Sequence, residues 1–125
     1  MIYQDDKLFI ELEIAEIPWL KIFTNEPFKE LSDLPSDLRA YLFSVGLCCE
    51  RALREFYHPD KINWASLANY VPRVHLHIQA RFKDDSFWPQ SMWGQKQRQA
   101  QRRKLDISAF SEYLNQQLKS LSSKN

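Results

Sequence analysis

The 125-residue sequence predicts an α+β fold, an antiparallel sheet with its main helix on one face. Three observations carry this. Two segments alternate polar and apolar residues with the period of a strand. Between them a single apolar stripe recurs at spacings of three and four, as on one side of a helix. The resulting order is strand, strand, long helix, strand, strand, with no internal repeat.

Lys7 to Ile14 is the first alternating run, with Leu8, Ile10, Leu12 and Ile14 on one side and Phe9, Glu11 and Glu13 on the solvated side. Pro18-Trp19 opens a short second strand from Leu20 to Thr24. Asn25 to Pro35, with two prolines and several acids, is turn-rich. Ser36 suits an N-cap, and Asp37 falls in the first turn, where the helix dipole favours a negative charge. Leu38, Leu42, Val45, Cys49, Leu53 and Phe56 then form the stripe of a helix of about five turns. Pro59 stops it, because it lacks an amide donor and disfavours helix in His58. Lys61 to Leu67 reads as a third strand and Arg73 to Phe82 as a fourth. After Gly94, Lys96, Arg98, Arg102, Arg103 and Lys104 fall within nine residues that hold no acid. Asp106 or Ser108 caps a last helix, with Ile107, Phe110, Leu114, Leu118 and Leu121 on one side. The final Ser-Ser-Lys-Asn is expected to fray.

At 44% hydrophobic and 14% aromatic, the chain can bury one core and is too short for two. A formal charge of +1 gives no global argument for a nucleic-acid or membrane partner. No apolar run approaches the roughly 18 residues of a membrane span. Met1 to Asp6 lacks the basic start and apolar centre of a secretory signal. Cys48 and Cys49 are adjacent, and helix neighbours point apart, so a disulfide between them is not expected. The reading is a reduced, cytoplasmic protein. The basic run from Lys96 to Lys104 is expected to be a solvated helix or loop, because glutamines alternate with its charges and no aromatics interleave.

The fourth strand carries the chemistry. Val74, Leu76, Ile78 and Ala80 face the core, which leaves Arg73, His75, His77, Gln79 and Arg81 on the opposite face. Imidazoles flanked by guanidinium groups cover a sheet poorly but are well suited to holding and attacking a phosphate. Three readings compete: ordinary histidines, two ligands of a zinc completed by His58 or an acid such as Asp84, or an imidazole nucleophile at phosphorus.

The context favours the third. From Asn69 the chain reads Asn-Tyr-Val-Pro-Arg-Val-His-Leu-His-Ile-Gln-Ala-Arg-Phe-Lys-Asp-Asp, followed by Trp88-Pro89 and Trp93-Gly94. This resembles the strand of the histidine triad (HIT) family, Asn-x-Val-Pro-His-x-His-x-His, then two apolar positions, x-Arg-Phe-x-Asp-Asp, W-P and W-G. It looks closest to the bacterial diadenosine tetraphosphate hydrolase-like branch. The likeness spans roughly residues 7 to 94. Residues 95–125 are a basic segment and helix of the same single domain. The resemblance implies about five antiparallel strands, one long helix packed on them and a C-terminal helical extension. Two positions depart from it: Arg73 replaces the first histidine, and Gln79 stands where the family has its last apolar residue. A shifted register resembling the H-x-H-x-Q of uridylyltransferases would make His77 the nucleophile. It breaks the match at Val71-Pro72 and at Arg81 to Asp85.

In the retained register the resemblance makes His75 the nucleophile that forms a nucleotidyl intermediate, and His77 a contact to phosphate and leaving group. The nucleophile's other ring nitrogen would be held by a backbone carbonyl of the same strand, which loss of the first histidine side chain need not remove. Arg73 offers phosphate a planar donor fork. It can equally occupy the phosphate site or tether a carboxylate. Asn63 and Asn69 match phosphate-contacting positions, and Tyr70 stands where many members use a small hydroxyl residue. Glu13 is the candidate acid for the ribose hydroxyls, and Trp88 lies in the Trp-Pro that approaches the partner subunit's nucleotide. A twofold homodimer is expected, with Phe87, Met92 and Trp93 suited to an interface. The implied function is a hydrolase or transferase acting on a nucleoside phosphoanhydride or phosphoramidate. It requires no metal for the nucleophile, although magnesium can accompany a polyphosphate. The alternative is a nucleotide-binding protein whose catalysis is weakened or lost through Arg73.

Overall fold

The computed structural model describes residues 1–123. Five strands, β1 (Tyr3–Gln4), β2 (Leu8–Leu12), β3 (Trp19–Thr24), β4 (Lys61–Ala65) and β5 (His75–Arg81), form one sheet in the order β1-β2-β3-β5-β4. Every neighbouring pair is antiparallel. A long helix, α1 (Ser36–Tyr57), and a C-terminal helix, α2 (Ile107–Ser123), complete the α+β fold.

The alternation expected of β2 and β5 places Leu8, Ile10, Leu76 and Ile78 in the core, and β3 adds Leu20 and Ile22. There they meet Leu42, Val45, Cys49, Ala52 and Leu53 of α1. Cys48 and Cys49 are both free and buried. Trp64 of β4 lies against α1, its ring so close that a Cβ added at Gly46 would stand 2.5 Å from Cη2. Its Nε1–H donates to Glu50 Oε1 at 2.9 Å. From α2, Phe110, Leu114 and Leu118 extend the same core, and Phe110 packs on Phe56 and Tyr57 with ring centroids 5.5 and 5.1 Å away.

Several boundaries differ from the sequence reading. β2 ends at Leu12, not Ile14: the bond from Glu13 N–H to Trp19 O is the last in its register with β3, and beyond it the chain turns and Ile14 is 98% exposed. Trp19, rather than Leu20, begins β3. Pro35 is the N-cap residue of α1 and Ser36 its first helical residue, with no side-chain cap bond. The helix does stop before Pro59: His58 turns left-handed at φ 52° and gives its N–H to Arg54 O. β4 ends at Ala65 and not at Leu67. Asp106 immediately precedes α2, with its carbonyl accepting Phe110 N–H, whereas Ser108 lies inside the first turn. Of the terminal Ser-Ser-Lys-Asn, Ser122 and Ser123 are helical; Lys124 and Asn125 lie outside the described residues.

The basic run is not wholly solvated. Arg98 Nη1 donates to the carbonyls of Asp85 and Trp88 at 2.7 and 2.8 Å. Arg103 bridges Asp84 at 2.7 Å and lies 3.6 Å from the centroid of Phe82. These arginines fasten residues 98–103 to the segment 82–88 that follows β5.

Candidate active site

The sheet face away from α1 holds the side chains of β5 that the alternation turns outward. Strand register gives each a cross-strand partner: Phe23 opposite His75, Lys21 and Ala65 opposite His77, Trp19 and Asn63 opposite Gln79. This face is less open than the sequence suggests. His77, Gln79 and Arg81 are 7%, 1% and 1% exposed, and His75 is half-buried.

The burial comes from the segment after β5, which an ion pair folds back. Arg81 Nε and Nη2 bind the two carboxylate oxygens of Asp85 at 2.8 and 3.0 Å. Its other donors reach Asn63 Oδ1 and Gln90 O, both at 2.8 Å, and its guanidinium carbon lies 5.7 Å from the Trp88 ring centroid. Asp85 also accepts the backbone N–H groups of Phe82, Phe87 and Trp88. Burial, the largest single influence, pushes its carboxyl up, but the bonds from Arg81 and from the Phe82 and Phe87 N–H groups together hold it below the usual range. A buried pair needs such complete pairing to be tolerated.

The two histidines are held in opposite tautomers. His75 Nδ1 lies 2.9 Å from Arg73 O, and since a carbonyl only accepts, Nδ1 carries the proton and Nε2 keeps its lone pair. At His77 the indole Nε1–H of Trp19 donates to Nδ1 at 3.0 Å. The neutral His77 ring therefore carries its proton on Nε2. Burial pushes the pKa of His77 down to about 4, helped by His75 and Lys21 and opposed by Glu13. The His75 and His77 rings meet edge to face, 4.7 Å between centroids. Phe23 stacks on His75 at 4.7 Å, and Trp93 packs edge-on against His77 at 4.9 Å.

Arg73 supplies that carbonyl, while its guanidinium is engaged elsewhere. Nη2 donates to Thr24 O at 2.8 Å and Asn25 O at 3.1 Å, and the group lies 5.5 and 5.7 Å from the stacked rings of Phe9 and Phe23. Its Nε is buried without a hydrogen-bond partner among the described residues. A phosphate would have to compete with two carbonyls for Nη2. Glu13 pairs with Lys21 at 2.7 Å. Asn63 and Gln79 lie on the histidine face, but Asn69 and Tyr70 are exposed in the loop between β4 and β5. Trp88 takes part in the Arg81 cluster, and Trp93 is the tryptophan of this segment that touches His77.

Trp19, Phe23 and Trp93 are the contacts that sequence reasoning missed. Trp19, Lys21 and Phe23 do share a face by alternation, but only the β3–β5 register sets them against Gln79, His77 and His75. Among the described residues, no three His, Cys, Asp or Glu side chains gather where they could hold a metal ion. No helix among them is long and apolar enough to cross a membrane.

The chain has close structural relatives. A histidine triad protein from Bradyrhizobium japonicum is 31% identical, with a TM-score of 0.79 over 93% of this chain and 87% of the other. A histidine triad protein from Marinobacter aquaeolei is 24% identical and matches in fold, with a TM-score of 0.78 over 96% and 88%. A zinc-bound histidine triad family protein from Mycobacterium smegmatis is 25% identical, with a TM-score of 0.64 over 99% and 86%. No curated protein matches in sequence. Residues 1–84 match the HIT domain, and with the sheet, helix and histidine strand now in place, the chain belongs to the histidine triad family.

Proposed function

We propose that the protein cleaves a nucleoside phosphoanhydride or phosphoramidate through a nucleotidyl-His75 intermediate, as in the diadenosine tetraphosphate hydrolase-like branch. The observation that carries this reading is the tautomer fixed at His75 by Arg73 O, which leaves Nε2 as a free nucleophile. In the first step the Nε2–P bond forms as the bond from phosphorus to the departing atom breaks, its electron pair leaving with that atom. Water then attacks phosphorus, releasing the nucleoside monophosphate, restoring His75 and giving its proton to solvent. His77 offers an Nε2–H to an oxygen on phosphorus or to the bridging atom. Held neutral, it stabilises charge by hydrogen bonding instead of by donating a full proton.

In this reading residues 1–125 form one domain of a cytoplasmic homodimer. The nucleophile needs no metal, though magnesium can accompany a polyphosphate. Brief incubation with a dinucleoside polyphosphate or an adenosine phosphoramidate should add one nucleotidyl group to the intact mass, at His75. His75→Ala should abolish both the adduct and turnover; wild-type turnover in that variant would show the nucleophile to be wrong. Tight nucleotide binding without an adduct or turnover would point instead to a binding protein.

A further inference from the structure

Attack on a phosphate builds negative charge on the oxygens around phosphorus, and a cation that meets those oxygens lowers the barrier. The arginines of the histidine face are committed elsewhere. Arg73 turns to the carbonyls of Thr24 and Asn25 at the end of β3. Arg81 engages its Nε, Nη1 and Nη2 with Asp85, Asn63 and Gln90. Lys61 of β4 stands opposite Arg81, six positions from His75, which is roughly 20 Å along the strand.

Lys21 is placed differently. It stands on β3 between Glu11 of β2 and His77 of β5, its Cα partners in the two registers. Its neighbours on the same face of β3 are both at the histidines: Trp19 bonds His77, and Phe23 stacks on His75. Lys21 lies between them, so its side chain leaves the sheet roughly 5 Å from that of His77. Its charge is felt there, because burial, then His75, then Lys21 push the His77 pKa down. Nζ rests 2.7 Å from Glu13 Oε2, with the two side chains 22% and 38% exposed. Among the described residues Glu13 is its one ion-pair or hydrogen-bond partner, which leaves further ammonium hydrogens to donate. A partly exposed pair of this kind is weak, and a lysine on its flexible stem can exchange it for a more highly charged anion.

We propose that Lys21 is the cation of the reacting phosphate: on binding, its Nζ leaves Glu13 and pairs with a non-bridging oxygen of the phosphorus that His75 attacks. The assignment rests on the covalent reading for its part in catalysis, but not for its part in binding. The Nε2–P bond forms, the bond from phosphorus to the departing atom breaks, and the departing atom keeps the electron pair. Throughout, Nζ retains its protons and offsets the charge on its oxygen. Without Lys21, the carboxylates of Glu11 and Glu13 would repel a phosphate from this part of the face.

Calorimetry with adenosine and adenosine 5′-monophosphate isolates the phosphate, the one group by which they differ, and involves no chemistry. Wild-type and His75→Ala proteins should both bind the monophosphate tighter, by a margin of about tenfold or more. Lys21→Met, which keeps the stem and removes the charge, should lose that margin. Lys21→Arg should keep most of it, and Glu13→Gln should keep or widen it, because the lysine is then released from its partner. In turnover, Lys21→Met should lower kcat/KM roughly 10- to 100-fold, as for loss of a hydrogen bond to a charged group. A lysine that served only to pair with Glu13 would give Lys21→Met and Glu13→Gln the same effect. That result, no margin in the wild type, or an unchanged margin in Lys21→Met would overturn the proposal. If Lys21→Met loses the margin but His75→Ala keeps its turnover, Lys21 stands as the phosphate contact and the covalent reading fails. If Lys21→Met forms the His75 adduct at the wild-type rate, the covalent reading stands and the proposal fails.

Discussion

Replacing Trp19 with phenylalanine keeps an aromatic six-membered ring but removes the pyrrole part of the indole, and with it the Nε1–H that meets His77 Nδ1 at 3.0 Å. That bond disfavours the imidazolium, because a second proton on Nδ1 would face the indole N–H. It also selects the neutral tautomer that donates from Nε2. The variant should therefore raise the His77 pKa above about 4, although burial, the larger cause, still holds it below the ordinary value, and it should release the tautomer. Loss of a buried hydrogen bond of this kind is worth about 1–2 kcal/mol, so kcat/KM should fall by roughly 5- to 30-fold. Stability should change with pH as well. A histidine whose folded pKa lies below the unfolded value contributes stability above pH about 6.5 and loses it as pH falls toward 4. The full swing is at most about 3 kcal/mol, and less where the ring edge meets water. In Trp19→Phe this acid-side loss should shrink. Nitrogen-15 shifts of the His77 ring, followed by NMR from pH 4 to 8, read tautomer and pKa directly. A wild-type His77 protonated on Nδ1, or an unchanged titration in the variant, would refute the reasoning.

Arg73→Ala should cost about 1–2 kcal/mol in urea unfolding, by freeing the carbonyls of Thr24 and Asn25. It should still form the nucleotidyl adduct, because His75 relies on the backbone carbonyl of residue 73. Gly46→Ala should lower stability by about 1–3 kcal/mol in thermal melts, since its Cβ would stand 2.5 Å from the Trp64 ring. Asp85→Asn should cost about 3–5 kcal/mol by leaving the Arg81 charge buried without a counter-charge. Intrinsic fluorescence should then report release of Trp93 from His77, a change absent if the segment is held by other contacts.

The elements most legible in the sequence were those with one buried face. β5 and α1 repeat their apolar residues at the period of their own backbone, so local pattern and tertiary burial agree. β1 was not legible. Two residues cannot show a period, and Tyr3–Gln4 is a strand only because β2 is beside it. Ile14 misled for the opposite reason, continuing an alternation past the point where the backbone turns.

The sequence alone determined the α+β class, the long helix and its stop before Pro59. It also determined the common face of His75, His77, Gln79 and Arg81, since a strand's side chains alternate whatever lies beside them. Only the tertiary structure decided what those side chains meet. A tautomer depends on which donor or acceptor reaches each ring nitrogen, and Trp19 lies 58 residues from His77 in sequence. The role of Arg73 was decided in the same way. Its side chain finds two carbonyls at the end of β3, and its own carbonyl, which every residue has, turns to His75. Periodicity fixes the face on which a group stands; register and chain return fix its partner.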